Sequence, residues 1–272
     1  MKTWFITGSS RGFGREWTIA ALQRGDRVAA TARNTETLKD LVDTHGDAIL
    51  TIPLDVTDRD AAFAAVARAH DHFGRLDVVV NNAGYGHAGM IEELGEAEFR
   101  AQLETNVFGA MWVTQAALPI LREQRSGHIL QVSSIGGISA FAGLGAYHAS
   151  KWALEGFSQA LAREVKDFGI HVTIIEPGGF STDWSGPSMQ RSTRLPAYDL
   201  IHQARDAFWA EHRPKAGDPT ASADAVLKLV DADQPPLRVF FGDGPLELAT
   251  ADYAERLETW RAWEWLSLEA QG

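Results

Sequence analysis

The sequence predicts an α/β protein built on a doubly wound parallel sheet of about seven strands, with helices on both faces. Short apolar runs recur along the chain, and amphipathic stretches of helical length separate them. Runs such as Val78-Val79-Val80 are apolar on both faces, as a strand covered by helices on both sides requires. Strands that alternate with helices imply parallel βαβ units. The 272 residues, 45% of them hydrophobic, suffice for one large core, and no linker interrupts them. Residues 1–272 are therefore expected to form one domain.

The first strand is expected over 2–7, where an apolar run ends in glycine, and a helix follows from 14 to 24, stopped by Gly25. The pattern repeats as strand 27–32, helix 35–44, strand 48–54, helix 58–73 and strand 76–80. A long helix over 97–123, strand 128–132, helix 147–168 and strand 171–175 follow, and the last strand is expected at 238–241. Residues 181–220 break the rhythm with Pro187, Pro196, Pro214 and Pro219, which reads as an insertion that acts as a lid. Near the C-terminus, Trp260 and Trp263 share a helical face, read as core or subunit packing; Trp4 in the first strand is also read as packing.

The net charge is -11, from 25 basic and 36 acidic residues. Such a surface disfavours non-specific nucleic-acid binding, which rests on Lys and Arg meeting phosphates. The absence of cysteine excludes disulfides and thiolate metal sites, and no metal site is expected. The start lacks the apolar stretch of a signal peptide, and no apolar run reaches the length of a membrane span. A soluble, cytoplasmic protein is the expectation.

Between the first strand and helix lies Thr7-Gly8-Ser9-Ser10-Arg11-Gly12-Phe13-Gly14. Gly8 permits a tight turn, Gly12 lets the backbone approach a pyrophosphate, and Gly14 lets helix and strand pack closely. The helix N-terminus offers N–H groups and a positive dipole end to the anion. This reads as the phosphate-binding turn of a Rossmann fold, with Ser10, Arg11 and Phe13 among its cofactor positions. An NAD site places a carboxylate at the end of the second strand. Here Ala32 stands there and Arg33 follows. Arg33 and Arg11 could instead hold the 2′-phosphate of NADP(H); the alternative is two solvated surface arginines. Asp55, followed by Val56, ends the third strand where an adenine amino group would lie. A helix N-cap is the other role for Asp55, although Asp58 fits that role better. Asn82, Ala83 and Gly84 end the fourth strand, either lining a cofactor or forming a turn.

Tyr147 and Lys151 stand at i and i+4, on one helix face. An ammonium near a phenol lowers the phenol's pKa from about 10 towards neutrality. Ser133 and Ser134 end the preceding strand, and a hydroxyl there could hold a substrate carbonyl oxygen. Asn106 is polar in an otherwise apolar helix, at a cost in helix propensity. It has either a specific hydrogen-bonding task or the place of a satisfied buried amide.

Together, TGSSRGFG, LDV, NNAG, TNVFG, SS, YHASK and PGG occur in the order seen in the short-chain dehydrogenase/reductase family, which residues 2–185 resemble. The resemblance implies that Tyr147 gives a proton to a carbonyl oxygen and that Lys151 tunes it and holds the nicotinamide ribose. It further implies that Ser134, rather than Ser133, orients substrate and that Asn106 holds a water in a relay with Lys151. Gly8, Arg11, Gly12, Phe13, Gly14, Arg33, Asp55 and Asn82 fall on cofactor positions, and Pro177, Gly178 and Thr182 line the nicotinamide. The resemblance also implies a homo-oligomer, a dimer or tetramer. Ile135, Phe141 and Leu144, with Phe180, Trp184, Met189, Phe208 and Trp209 of the insertion, are expected to supply an apolar substrate pocket. The expected activity is NADP(H)-dependent interconversion of a ketone or aldehyde and its alcohol. An NADP-binding regulatory protein, or a dehydratase or epimerase on the same fold, is the alternative.

Overall fold

The computed structural model describes the whole chain except residues 183–185, 187 and 212–215 and the side chains of 208–210. Its first half alternates as the apolar pattern demands. Strand β1 (Thr3–Ile6) leads to helix α1 (Gly12–Gln23), β2 (Arg27–Ala32) to α2 (Lys39–His45), and β3 (Ile49–Pro53) to α3 (Arg59–Phe73). Strand β4 (Val78–Asn81) is followed by a two-residue β5 (His87–Ala88), then α4 (Glu96–Leu103) and α5 (Gly109–Gln124). Strand β6 (Gly127–Val132), α6 (Gly145–Val165) and β7 (Ile170–Pro177) continue the alternation. Asp58 caps α3 by accepting from the Ala61 N–H at 2.9 Å, as its position before the helix requires.

The seven main strands lie in the order β3-β2-β1-β4-β6-β7-β9, all parallel, where β9 is Arg238–Phe241. This is a Rossmann-like doubly wound sheet. The winding reverses between β1 and β4, which opens a crevice at their carboxyl ends. Period-two alternation divides the core. Trp4 and Ile6 pack on one face with Trp17 of α1 and with Val226 and Leu229 of α8 (Ala221–Asp231). Phe5 packs on the other face with Val66, Val113 and Leu161 of α3, α5 and α6. Trp4 is wholly buried and gives its indole N–H to Asp26 at 2.9 Å. Trp17 is likewise buried and donates to the Ser222 hydroxyl at 2.8 Å, which joins α1 to α8.

The 97–123 stretch is not one continuous α-helix. A π turn over Glu104–Phe108 separates α4 from α5, and Asn106 lies within it. The segment after β7 is fastened to the segment before α4. Strand β8 (Gln190–Arg191) pairs in parallel with β5. Glu93 accepts from His202 at 2.7 Å and from the N–H groups of Met90 at 2.7 Å and Leu195 at 2.9 Å. Burial opposes its charge, yet His202 and the two N–H groups outweigh that and hold the carboxyl at about 2. Helix α7 (Asp199–Glu211) follows, and α9 (Pro245–Ala262) and α10 (Glu264–Gln271) close the chain. Trp260, Trp263 and Trp265 are 62%, 55% and 57% exposed, so they are not core residues of this chain. Among the described residues no helix is long and apolar enough to cross a membrane. No group of His, Asp and Glu among them could hold a metal ion.

Replacing Trp17 with Ala should remove a fully buried indole and its hydrogen bond to the Ser222 hydroxyl, which keeps only its bond to the Pro219 carbonyl. A loss of about 3–5 kcal/mol is expected in urea unfolding.

Candidate active site

A parallel sheet ends all its strands at one edge, and the expected site residues gather there. Gly8 has φ +70°, a conformation that favours glycine. At Gly14 a Cβ would come within 2.5 Å of the Asn82 amide nitrogen and closer still to the Gly8 carbonyl oxygen, so only hydrogen fits. The end of β4 braces the turn. Asn82 Nδ2 donates to the carbonyls of Thr7 at 2.9 Å and Gly8 at 3.1 Å. The N–H groups of Asn82 and Ala83 both donate to Thr7 Oγ1 at 3.0 Å. Asn82 and Ala83 thus shape the turn from below. Helix α1 begins at Gly12 with Arg11 at its N-cap, no side-chain cap and no acidic residue in its first turn. Its leading N–H groups lack intrahelical partners, as at any helix start, and with no acidic residue beside them the helix start suits an anion.

Arg11 is exposed in this turn beside the half-buried Ser10, and Arg33 is exposed directly after β2. No carboxylate stands between Ala32 and the Asn34 that caps the following 3-10 turn. Asp55 is exposed at the end of β3 and accepts from the Thr57 N–H and hydroxyl at 3.0 and 2.8 Å. Val56 is buried; a Cβ on Gly109 would meet its Cγ2 at 2.7 Å, so it packs on the start of α5. Pro177 ends β7, and the Gly178 N–H donates to the Phe241 carbonyl at 2.9 Å. Thr182 reaches the glycine turn, 3.6 Å from where a Gly12 Cβ would stand.

Ser134, Tyr147, Lys151 and Asn106 come together beside this crevice. Ser134 follows β6 and opens a 3-10 turn over Ile135–Gly137, where its Oγ accepts from the Gly136 N–H at 3.0 Å. Tyr147 and Lys151 occupy successive turns of α6, both buried, with Lys151 Nζ 5.7 Å from the phenol ring centre. The ammonium donates to the Val132 carbonyl at 2.7 Å. Asn106 accepts from the Tyr85 N–H at 3.1 Å and donates to the Tyr85 carbonyl and the Ser150 hydroxyl, both at 3.0 Å. Gly84 lies between the two sides: a Cβ there would stand 3.1 Å from Asn106 Oδ1 and 3.8 Å from Lys151 Nζ.

Burial pushes the Tyr147 phenol up to about 12, against a smaller downward pull from the Ser134 hydroxyl. Burial brings Lys151 down to about 8, against an upward pull from Glu155. The expected lowering of the phenol by the ammonium is not what governs Tyr147 here. Desolvation of the fully enclosed phenol is the larger effect, and the Ser134 hydroxyl opposes it. The phenol is held neutral, the form of a proton donor.

His148 is a residue that motif reading passed over. Its Nδ1 donates to the Gly136 carbonyl at 2.8 Å, and its Nε2 accepts from the Phe141 N–H at 2.9 Å. One neutral ring therefore pins the loop that carries Ser134 and Phe141, and burial lowers its pKa. Phe141 meets this ring edge-on at 5.3 Å, and Leu144 precedes α6 and bridges to Gly89. Phe180 instead packs edge-on to Phe13 at 4.9 Å and against Gly217 and Gly242, at the glycine-turn side of the crevice. Phe13 itself stacks on Trp17 at 5.3 Å, part of the core beneath the turn. Trp184 lies outside the described residues, as do the side chains of Phe208 and Trp209.

A sequence profile of the short chain dehydrogenases matches residues 2–192. The oxidoreductase BOA17 of Botryotinia fuckeliana is 46% identical over 254 residues, 91% of each chain. A short-chain dehydrogenase from Streptomyces avermitilis superposes with a TM-score of 0.92 at 39% identity, over 99% of this chain and 100% of that one. An alcohol dehydrogenase from the archaeon Thermococcus sibiricus, complexed with 5-hydroxy-NADP, superposes with a TM-score of 0.74 at 26% identity, over 89% and 96%.

Two glycine substitutions should separate the constrained turn from ordinary helix. Gly14→Ala should lower the unfolding midpoint and weaken cofactor binding, because its Cβ meets Gly8 and Asn82. Gly156→Ala, exposed in α6 with nothing within 4 Å of its Cβ, should stabilise by about 0.5–1 kcal/mol. Parallel unfolding curves check both.

Proposed function

The chain belongs to the short-chain dehydrogenase family, and we propose that it is an NADP(H)-dependent oxidoreductase that interconverts a ketone or aldehyde with the corresponding alcohol. The observation that carries this reading is the convergence of Ser134, Tyr147, Lys151 and Asn106 on the crevice that the glycine turn also faces. The turn fits a dinucleotide: Gly8 and Gly12 have positive φ, the start of α1 has no side-chain cap, and a Cβ at Gly14 would collide with its neighbours. Bound there, a nicotinamide supplies or accepts the hydride.

The protein's own groups then have distinct tasks. The Ser134 hydroxyl donates a hydrogen bond to the carbonyl oxygen and orients it. The neutral Tyr147 phenol, beside the same oxygen, donates the proton as charge develops there. Lys151 holds the nicotinamide ribose and stabilises the phenolate left behind. Asn106, fixed from both sides by Tyr85, holds a water in a proton relay with Lys151. Arg11 and Arg33 take the 2′-phosphate, which accounts for the missing carboxylate after β2. Phe141 and Leu144 make one wall of an apolar substrate pocket, and residues 181–220 form its lid. We further infer a cytoplasmic homo-oligomer, for which the exposed Trp152, Trp260, Trp263 and Trp265 offer apolar contact surface.

Tyr147→Phe should still bind NADPH yet lose turnover at least about a hundredfold against ketones and aldehydes. NADPH consumption and fluorescence titration check the two halves separately. Each arginine contact to a 2′-phosphate is worth about 1.5–3 kcal/mol, so NADPH should exceed NADH in kcat/KM by about a hundredfold or more. Arg33→Ala should lose part of that preference, mainly through KM.

A further inference from the structure

We propose that Glu155 and Glu176 share one proton, and that the single charge left on the pair is the counter-ion that keeps Lys151 an ammonium and steadies the loop bearing Ser134. The inference rests on the dehydrogenase reading and adds to it a positioning residue, Glu155, that touches neither substrate nor cofactor.

Three charged side chains from three elements meet beneath that loop. Glu155 lies on α6 one turn beyond Lys151 and is 6% exposed; Glu176, near the end of β7, is 1% exposed. Arg238 begins β9, and its Nε stands 3.0 Å from Glu155 Oε2 and 3.4 Å from Glu176 Oε1. Its Nη2 donates to Gln159 Oε1 at 2.9 Å. One guanidinium therefore faces two carboxyls. Oε1 of Glu155 and Oε1 of Glu176 are both buried, and neither accepts a hydrogen bond from the described residues. Two buried carboxylates side by side with unmet acceptors are costly. One shared proton removes a charge and supplies the missing donor, as in other carboxyl pairs.

The pair touches the catalytic loop directly. A Cβ on Gly137 would come within 2.9 Å of Glu155 Cγ and 2.7 Å of Ser133 Oγ, so Gly137 rests on both. The Gly137 N–H donates to the Ser134 carbonyl at 2.8 Å. Every element around the pair contributes a polar or charged group. Helix α6 presents Tyr147 and Lys151, the end of β6 the Ser133 hydroxyl, and β9 Arg238. Helix α9 adds Tyr253, on the wall of a cavity of about 610 Å³ that Glu176 and Arg238 also line, and Arg256, which donates to the Ile138 carbonyl at 2.8 Å. This cavity opens to solvent and lets the pair exchange its proton.

The electrostatics agree in direction. Burial raises both carboxyls; at Glu155 the Ser133 hydroxyl and then Arg238 oppose it, while the charge on Glu155 raises Glu176 further, to about 8, against Arg238. Burial lowers Lys151 to about 8, and Glu155 pulls it back up. The lysine is charged below its pKa, so the counter-ion delays loss of the ammonium as pH rises. Removing Glu155 leaves any remaining charge on Glu176 of β7, and so takes the charge that acts on Lys151 away and brings the loss to lower pH.

The test measures kcat/KM and the NADPH Kd against pH for the unmodified enzyme, Glu155→Gln and Glu155→Asp. In Glu155→Gln the alkaline fall of kcat/KM should move down by about one pH unit. NADPH should bind several-fold more weakly at pH 8, with much less change at pH 6. Glu155→Asp keeps the charge and should hold the fall near its original pH. An alkaline limb in Glu155→Gln that coincides with the unmodified enzyme's overturns the proposal. Infrared spectra of the unmodified protein give a readout independent of any variant's folding: a protonated-carboxyl band should persist at pH 7 and fade as pH passes 8. Its absence at pH 7 overturns the shared proton. If the unmodified protein neither binds nor oxidises NADPH, the dehydrogenase reading fails, and the infrared band alone decides the shared proton.

Discussion

The closeness of the β1–α1 turn to the end of β4 governs the rest of the structure. Gly14, Gly8 and Asn82 occupy a space that admits no additional carbon, and Thr7 Oγ1 binds two successive N–H groups of the opposing strand end. These contacts hold the reversal point of the sheet together without a large side chain. The crevice they leave is walled by backbone, and backbone N–H groups need no rearrangement to receive a phosphate. Because all strands of the sheet are parallel, the ends of β6 and β7 arrive at the same edge, and Ser134 and Pro177 come with them.

Around this frame, buried polar groups are satisfied by backbone more often than by one another. Lys151 is held by Val132, Asn106 by Tyr85 and His148 by Gly136 and Phe141. Such contacts make the position of each side chain a consequence of strand and loop geometry. The π turn at Asn106 belongs to the same logic. A regular α-helix rotates successive residues by a fixed step, and the added residue in the turn lets the amide reach both Tyr85 and Ser150. Glu93, His202 and the short β5–β8 ladder fasten residues 190–202 to the segment before α4.

Much of this was legible in the sequence because the signals were periodic. The strands at 27–32 and 238–241 and the cap at Asp58 follow from apolar runs and one side-chain oxygen, and the structure has them there; the strand expected at 76–80 runs over Val78–Asn81. The interruption of the 97–123 helix was not legible, since a π turn changes hydrogen bonding without changing which residues are apolar. Helix α8 was passed over although Val226, Leu229 and Val230 carry a helical spacing, because it is short and follows the proline-rich insertion. Trp260 and Trp263 illustrate a different limit: their spacing suggests one helix face, yet α9 ends at Ala262 and both indoles lie outside the core. Glu155, Glu176 and Arg238 were invisible as a group, because they meet only when α6, β7 and β9 are side by side.

The central claim is that one crevice serves both a phosphate-bearing dinucleotide and the proton donor Tyr147. A crystal structure of the unmodified protein grown with NADP+ tests it most directly. The account predicts the pyrophosphate on the leading N–H groups of α1, the 2′-phosphate between Arg11 and Arg33, and the nicotinamide ribose against Tyr147 and Lys151. A dinucleotide bound away from the carboxyl edge of β1 and β4, or a 2′-phosphate that meets neither arginine, would contradict it.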